Sequence, residues 1–96
     1  MVIAMKKPYE HFQIDTHKFL RTFRADDVDD EDLVWHRDKN ERLIYVIHVD
    51  PGWSLQRDNE LPQEMVSNET VIRIKAGEYH RIIKGDGVCV LYVEEK

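Results

Sequence analysis

Apolar and polar residues alternate over short stretches of this chain, and most stretches end at a cluster of turn-forming residues. Side chains two apart on a strand share a face, whereas those three and four apart share a face of a helix. Residues 9–14 follow the two-residue period, with Phe12 and Ile14 on one side, and predict a short edge strand. Asp15 is a helix-capping residue type. Phe19, Leu20 and Phe23 follow at helical spacing, with Lys18, Arg21 and Arg24 outside. This predicts one short N-terminal helix beginning at Thr16, packed as a lid on the main body; a helix for a partner is the alternative. Asp26, Asp27, Asp29, Asp30, Glu31 and Asp32 then read as a solvated acidic linker, because the spaced ligands and central glycine of a calcium loop are missing.

From residue 33 the pattern is that of β structure. Strands are predicted over residues 33–37, 42–49, 53–57, 71–74, 80–83 and 88–93, with Met65-Val66 a further short piece. Asp38-Lys39-Asn40, Asp50-Pro51-Gly52, Asp58-Asn59, Ser67-Asn68, Ala76-Gly77 and Lys84-Gly85-Asp86-Gly87 supply the turns. Many short strands with frequent turns predict a mainly all-β fold, a small antiparallel jelly-roll barrel. The expected organisation is one domain over residues 1–96. Residues 1–32 form an arm, the helix and the acidic loop, and residues 33–96 form the barrel. Trp53 and Tyr45 are expected to fill the core or the pocket wall.

The chain has 96 residues, enough for a single core. Its net charge of −5 argues against a nucleic-acid binder, which would need a basic patch. Cys89 is the one cysteine, so no internal disulfide forms, and its apolar surroundings predict a buried thiol. No apolar stretch approaches membrane-spanning length, and the N-terminus lacks the order of a signal peptide. A cytoplasmic location is expected, with neither membrane nor nucleic acid as partner.

The chemistry concentrates in His36-Arg37-Asp38 and in His80 of Lys75-Ala76-Gly77-Glu78-Tyr79-His80. His36 and Asp38 are two apart and can aim at one point from one strand, and a second strand carrying His80 can complete the set. Two imidazoles and one carboxylate form the facial triad of non-haem metal sites, which leaves positions open for water or substrate. Such a set suits one divalent ion: Fe, Zn, Mn or Ni. The alternative has Asp38 capping a turn and both histidines satisfied by backbone partners. Glu41 and Gln56 are candidates for an additional ligand or a supporting contact. Arg42, Arg73 and His48 are candidates for the pocket, although Arg73 and Gln56 also suit a solvent-facing position.

These residues carry a resemblance to the cupin superfamily over roughly residues 33–93. His36 matches the first histidine of the first cupin motif, Asp38 replaces the second, and Arg42 falls on the glutamate position with Glu41 one residue early. Gly77 and His80 keep the spacing of the second motif, while Lys75, Glu69 and Lys84 depart from it. Residues 53–62 and 79–85 also resemble short cupin-like proteins of phage and bacterial genomes that carry no assigned activity. The resemblance implies a small barrel that pairs as a homodimer. It also implies a metal-binding protein, in the enzymatic case acting on a small anionic molecule. The alternative is a non-catalytic binding module without metal. Arg42, if directed inward, would repel an ion and suit an anion. The 2-oxoglutarate oxygenases have a similar triad, but usually an arginine beyond the distal histidine; here only the adjacent Arg81 follows.

Overall fold

The two-residue period governs the chain from its first ordered strand, including the segment expected to be helical. The computed structural model describes residues 8–29, 33–67 and 71–96. Among the described residues eight strands occur: β1 Glu10–Asp15, β2 Lys18–Arg24, β3 Arg42–Val49, β4 Ser54–Arg57, β5 Gln63–Glu64, β6 Val71–Ile74, β7 His80–Ile83 and β8 Val88–Glu95. They form a five-stranded sheet in the order β1-β2-β8-β3-β6 and a three-stranded sheet in the order β5-β4-β7. All the pairings between these strands are antiparallel.

The helix expected from Thr16 is a strand. Asp15 Oδ1 accepts the His17 backbone N–H at 2.9 Å, so the aspartate closes a tight turn instead of capping a helix. Phe19 and Phe23 satisfy both periods, and pairing along the whole of β8 selects the two-residue one. Both phenylalanines are buried, and Leu20 lies on the opposite face. The barrel sheet thus starts at Glu10, well before residue 33. Among the described residues the sole helical element is a 3-10 turn at Ala25–Asp27, inside the acidic stretch. Residues 30–32 of that stretch lie outside the described residues. The strand expected over 33–37 contracts to an isolated bridge at His36.

The inner faces meet in a core of Phe19, Phe23, Ile44, Val46, Ile74, Cys89, Leu91 and Val93 from the long sheet, with Trp53, Leu55 and Met65 opposite. The Phe23 and Trp53 rings lie 6.1 Å apart and join the layers. In β3 the pairing with β8 slips between Val46 and His48, so Ile47 and His48 are both exposed while Val49 returns to the core. Tyr45 lies on the outer face, 5.5 Å from the Tyr92 ring, and lines neither core nor pocket. Cys89 is fully buried as expected, and burial pushes its thiol pKa up to about 12. No helix among the described residues is long and apolar enough to cross a membrane.

The turns before β4 and β8 lock against each other. Asp50 Oδ2 accepts the Val88 N–H at 2.8 Å, the Asp86 N–H reaches Pro51 O at 2.9 Å, and Trp53 Nε1 donates to Asp86 O at 2.5 Å. Gly85 lies so close that an added Cβ would stand 2.3 Å from Trp53 N and 2.5 Å from Gly52 C. Backbone cannot yield as a flexible side chain can. Gly85→Ala is therefore expected to cost about 2–3 kcal/mol in urea unfolding; an unchanged midpoint would contradict this close approach.

Candidate metal centre

His36 and His80 face each other across two backbone hydrogen bonds, His36 N to His80 O at 3.0 Å and His80 N to His36 O at 2.9 Å. Residues paired in this way send their side chains to the same face. The ring centroids are accordingly 4.3 Å apart. Asp38 follows His36 by two residues, and its carbonyl accepts the Gly77 N–H at 2.8 Å, which keeps the segment against the loop before β7. Gly77 has φ of 79°, a turn conformation suited to glycine. The result brings donor atoms of His36, Asp38 and His80 within 4.8 Å of one another, a group able to hold a metal ion.

Backbone carbonyls fix both imidazoles. His36 Nδ1 is 3.0 Å from Val34 O, and His80 Nδ1 is 2.8 Å from Glu78 O. A carbonyl only accepts, so each Nδ1 carries hydrogen and each neutral ring keeps its Nε2 lone pair for the site. Backbone satisfaction was the alternative to coordination; here one nitrogen of each ring serves the first and leaves the second available. Asp38 Oδ2 lies 3.2 Å from His80 Nε2, and Asp38 Oδ1 lies 3.9 Å from His36 Nε2. Among the described residues, Asp38 Oδ2 is the one buried side-chain polar atom without a hydrogen-bond partner. A lone pair facing a carboxylate oxygen at this distance is repulsive unless a cation lies between them. That cation is a metal ion, or the proton of a charged His80, which makes an ion pair with Asp38 at 3.2 Å. A first-row metal sits about 2.0–2.2 Å from nitrogen and oxygen donors, which places neighbouring donors roughly 3 Å apart. The His80–Asp38 pair matches that spacing and the His36 contact is somewhat longer, so the residues present fit a metal ion.

The charges around Asp38 are balanced. Burial alone would raise its pKa, but the His80 ring, the Arg42 guanidinium and His36 outweigh burial and hold it below the ordinary carboxylate value. Burial alone would lower the His80 pKa, and Asp38 with the Glu78 carbonyl outweighs that, so the net shift is upward. Arg42 is directed inward, with Nη1 3.2 Å from Asp38 Oδ1 and Nε 3.0 Å from Glu95 Oε2. Its charge is met by those two carboxylates, so it anchors Asp38 rather than standing free for an anion. Glu78 Oε1 accepts the Lys75 N–H at 3.0 Å and Arg57 Nη1 at 2.9 Å, tying down the loop whose carbonyl orients His80.

The other candidates lie elsewhere. Glu41 bonds Arg73 at the surface, and Arg73 is exposed. Gln56 accepts from Arg81 Nε at 2.8 Å and donates to Glu60 O at 3.0 Å, so both ends of its amide are engaged. His48 is exposed beside Asp50 at 3.1 Å. A cavity of about 410 Å³ opens beside the three donors and includes Tyr9, Arg21, Arg42 and Leu33 in its lining. The sequence reading placed Arg21 outside. Its position midway between Phe19 and Phe23 was the available signal that it points inward.

Comparison with solved structures identifies the architecture. The chain resembles an RmlC-like cupin family protein with a double-stranded β-helix fold from Methanocaldococcus jannaschii, with a TM-score of 0.63, 9% identity, and 99% of this chain and 85% of that one covered. A cupin domain from Bordetella pertussis gives a TM-score of 0.60 at 15% identity, over 97% of this chain and 99% of that one. The DMSP lyase DddQ from Ruegeria pomeroyi DSS-3 gives 0.64 at 11% identity over 82% of this chain, which spans only 36% of that protein. The fold is therefore the cupin double-stranded β-helix, as the sequence resemblance implied. No protein-family model matches the chain, and no curated protein matches it in sequence.

The Asp38–His80 pair sets a pH window for the chelator-treated protein. The raised His80 pKa contributes stability that is complete below about pH 6.5 and is lost as pH rises through the folded value. The depressed Asp38 pKa contributes stability present above about pH 3.9 and lost as pH falls through its folded value. Melting temperature without metal is thus expected to decline from pH 6 to 9 in wild type and to lose this slope in His80→Gln. A wild-type melting temperature that climbs over that range would contradict the pairing.

Proposed function

We propose that the protein is a mononuclear metal-binding cupin in which His36, Asp38 and His80 hold one divalent ion, Fe, Zn, Mn or Ni, and that it acts as a non-haem metal enzyme on a small anionic molecule. The observation that carries this reading is the convergence of two oriented Nε2 lone pairs on a buried carboxylate oxygen that has no hydrogen-bond partner. A bound ion supplies Lewis acidity, and two neutral imidazoles with one carboxylate leave a divalent site with formal charge +1 that favours an anion. Arg42 holds the Asp38 carboxylate, the Val34 and Glu78 carbonyls hold the rings, and apolar side chains form much of the cavity wall beside them. Lyase chemistry occurs on the same fold in the DMSP lyase, which supports catalysis as a use of this architecture.

Elemental analysis of protein purified without chelator tests the reading. The expected content approaches one ion per chain in wild type and falls to background in His36→Ala/His80→Ala. Losing an outer partner costs roughly 10–100-fold in metal affinity, and losing His80 itself is expected to cost more. The fold of His80→Ala should persist by circular dichroism. Equal metal content in wild type and the double variant would sink the proposal.

A second observation favours an association role alongside, or in place of, catalysis. Phe12, Leu20, Tyr92, Tyr45 and Val71 lie opposite one another in successive strands and make an apolar rung across the outer face of the long sheet. Phe12 is 66% and Val71 48% exposed. We propose that this face pairs two copies of the chain as a homodimer, which adds buried area to a small barrel. Sedimentation is expected to give a dimer for wild type and a monomer for Phe12→Asp/Val71→Asp. A wild-type monomer at high concentration would refute the pairing.

A further inference from the structure

Arg21 occupies an inward position of β2. Its neighbours two residues away, Phe19 and Phe23, are buried in the core, and strand alternation puts all three side chains on one face. A cation there is costly unless something compensates its charge. Arg42, the other inward arginine of the long sheet, has Asp38 and Glu95. Arg21 pairs with no carboxylate among the described residues. Its guanidinium carbon lies 4.2 Å from the Tyr9 ring centroid and 4.6 Å from that of Phe19. Its Nε donates to His11 Nδ1 at 3.3 Å, a tautomer consistent with His11 Nε2 donating to Gln13 Oε1 at 2.7 Å. Those contacts fix the group and leave the Nη pair without a hydrogen bond to any described residue. Burial holds the Arg21 pKa below the ordinary arginine value, as befits a partly desolvated cation.

We infer that Arg21 is the anion-recognition group of the cavity, taking the carboxylate of a small organic acid whose apolar body lies along the wall of Phe23, Ile44 and Leu91. The guanidinium fork matches a carboxylate bidentately. One positive charge without a directly paired carboxylate, in an otherwise mostly apolar wall, suits a monoanion better than a phosphate. The inference rests on the proposed reading of the cavity as the ligand site and extends it by naming the ligand class. The ion and the arginine are separate groups, so the two readings can fail separately.

The test is an NMR titration of the full-length chain with hexanoate and with its neutral counterpart hexanamide, in chelator and in zinc. Hexanoate is expected to shift cavity resonances saturably in both conditions, with hexanamide at least about tenfold weaker. Arg21→Gln should reduce hexanoate to the level of hexanamide, and Arg21→Lys should fall between. The amide comparison on wild type holds even if an Arg21 variant fails to fold. Equal affinity for acid and amide, no hexanoate binding to wild type, or undiminished binding by folded Arg21→Gln would overturn the inference. Hexanoate binding confined to the zinc-loaded protein would also overturn it, by placing the carboxylate on the ion while leaving the metal reading intact. Arg21-dependent binding by a chain that takes up no zinc when zinc is supplied would sink the metal reading alone.

Discussion

Strand β8 pairs along its length with β2 on one side and β3 on the other, and this double pairing determines which side chains meet inside the barrel. Registering Phe19 with Val93 and Val93 with Ile44 builds one apolar layer across three strands. Registering Arg42 with Glu95 puts an ion pair at the end of the same inner face. A one-residue slip would turn every one of these side chains outward. The charged end of the layer is therefore as dependent on register as the apolar centre. Asp38 is held through Arg42 by the strand that also carries Cys89, Leu91 and Val93.

The candidate centre adds a second, smaller constraint. His36 belongs to no continuous strand, and its placement relies on the backbone bridge to His80 and on the Asp38 carbonyl contact with Gly77. The imidazoles are oriented by Val34 and Glu78 carbonyls, each two residues before the ring it holds. Local backbone thus sets the ring directions, while the bridge sets the distance between rings. Neither job falls to a side chain that substitution could readily remove.

Much of this was legible in the sequence for physical reasons. The spacing of His36, Asp38 and His80 groups them as donors, with a turn-capping aspartate and backbone-held histidines as the alternative, and turn residues mark β3, β4, β6, β7 and β8 closely. The first two strands were half legible. The Asp15 carboxylate serves turns and helix caps equally, and Phe19 with Phe23 satisfies either period. Leu20 beside Phe19 and Phe23 completes a helical stripe, which places Arg21 outside. The Ile47 bulge and the Arg42–Glu95 pair were beyond reach, since both follow from which strands become neighbours.

The bridge between His36 and His80 closes a long segment of chain, which contains β4 and β5 of the three-stranded sheet and β6 of the five-stranded sheet besides β3. Contacts between such distant positions form late in folding, after the entropy of closing the intervening loop has been overcome. A nascent or partly assembled barrel offers His36 and Asp38 together but lacks His80 beside them. The complete donor set is thus a property of the finished topology: without His80 beside them, His36 and Asp38 offer an ion only two donors.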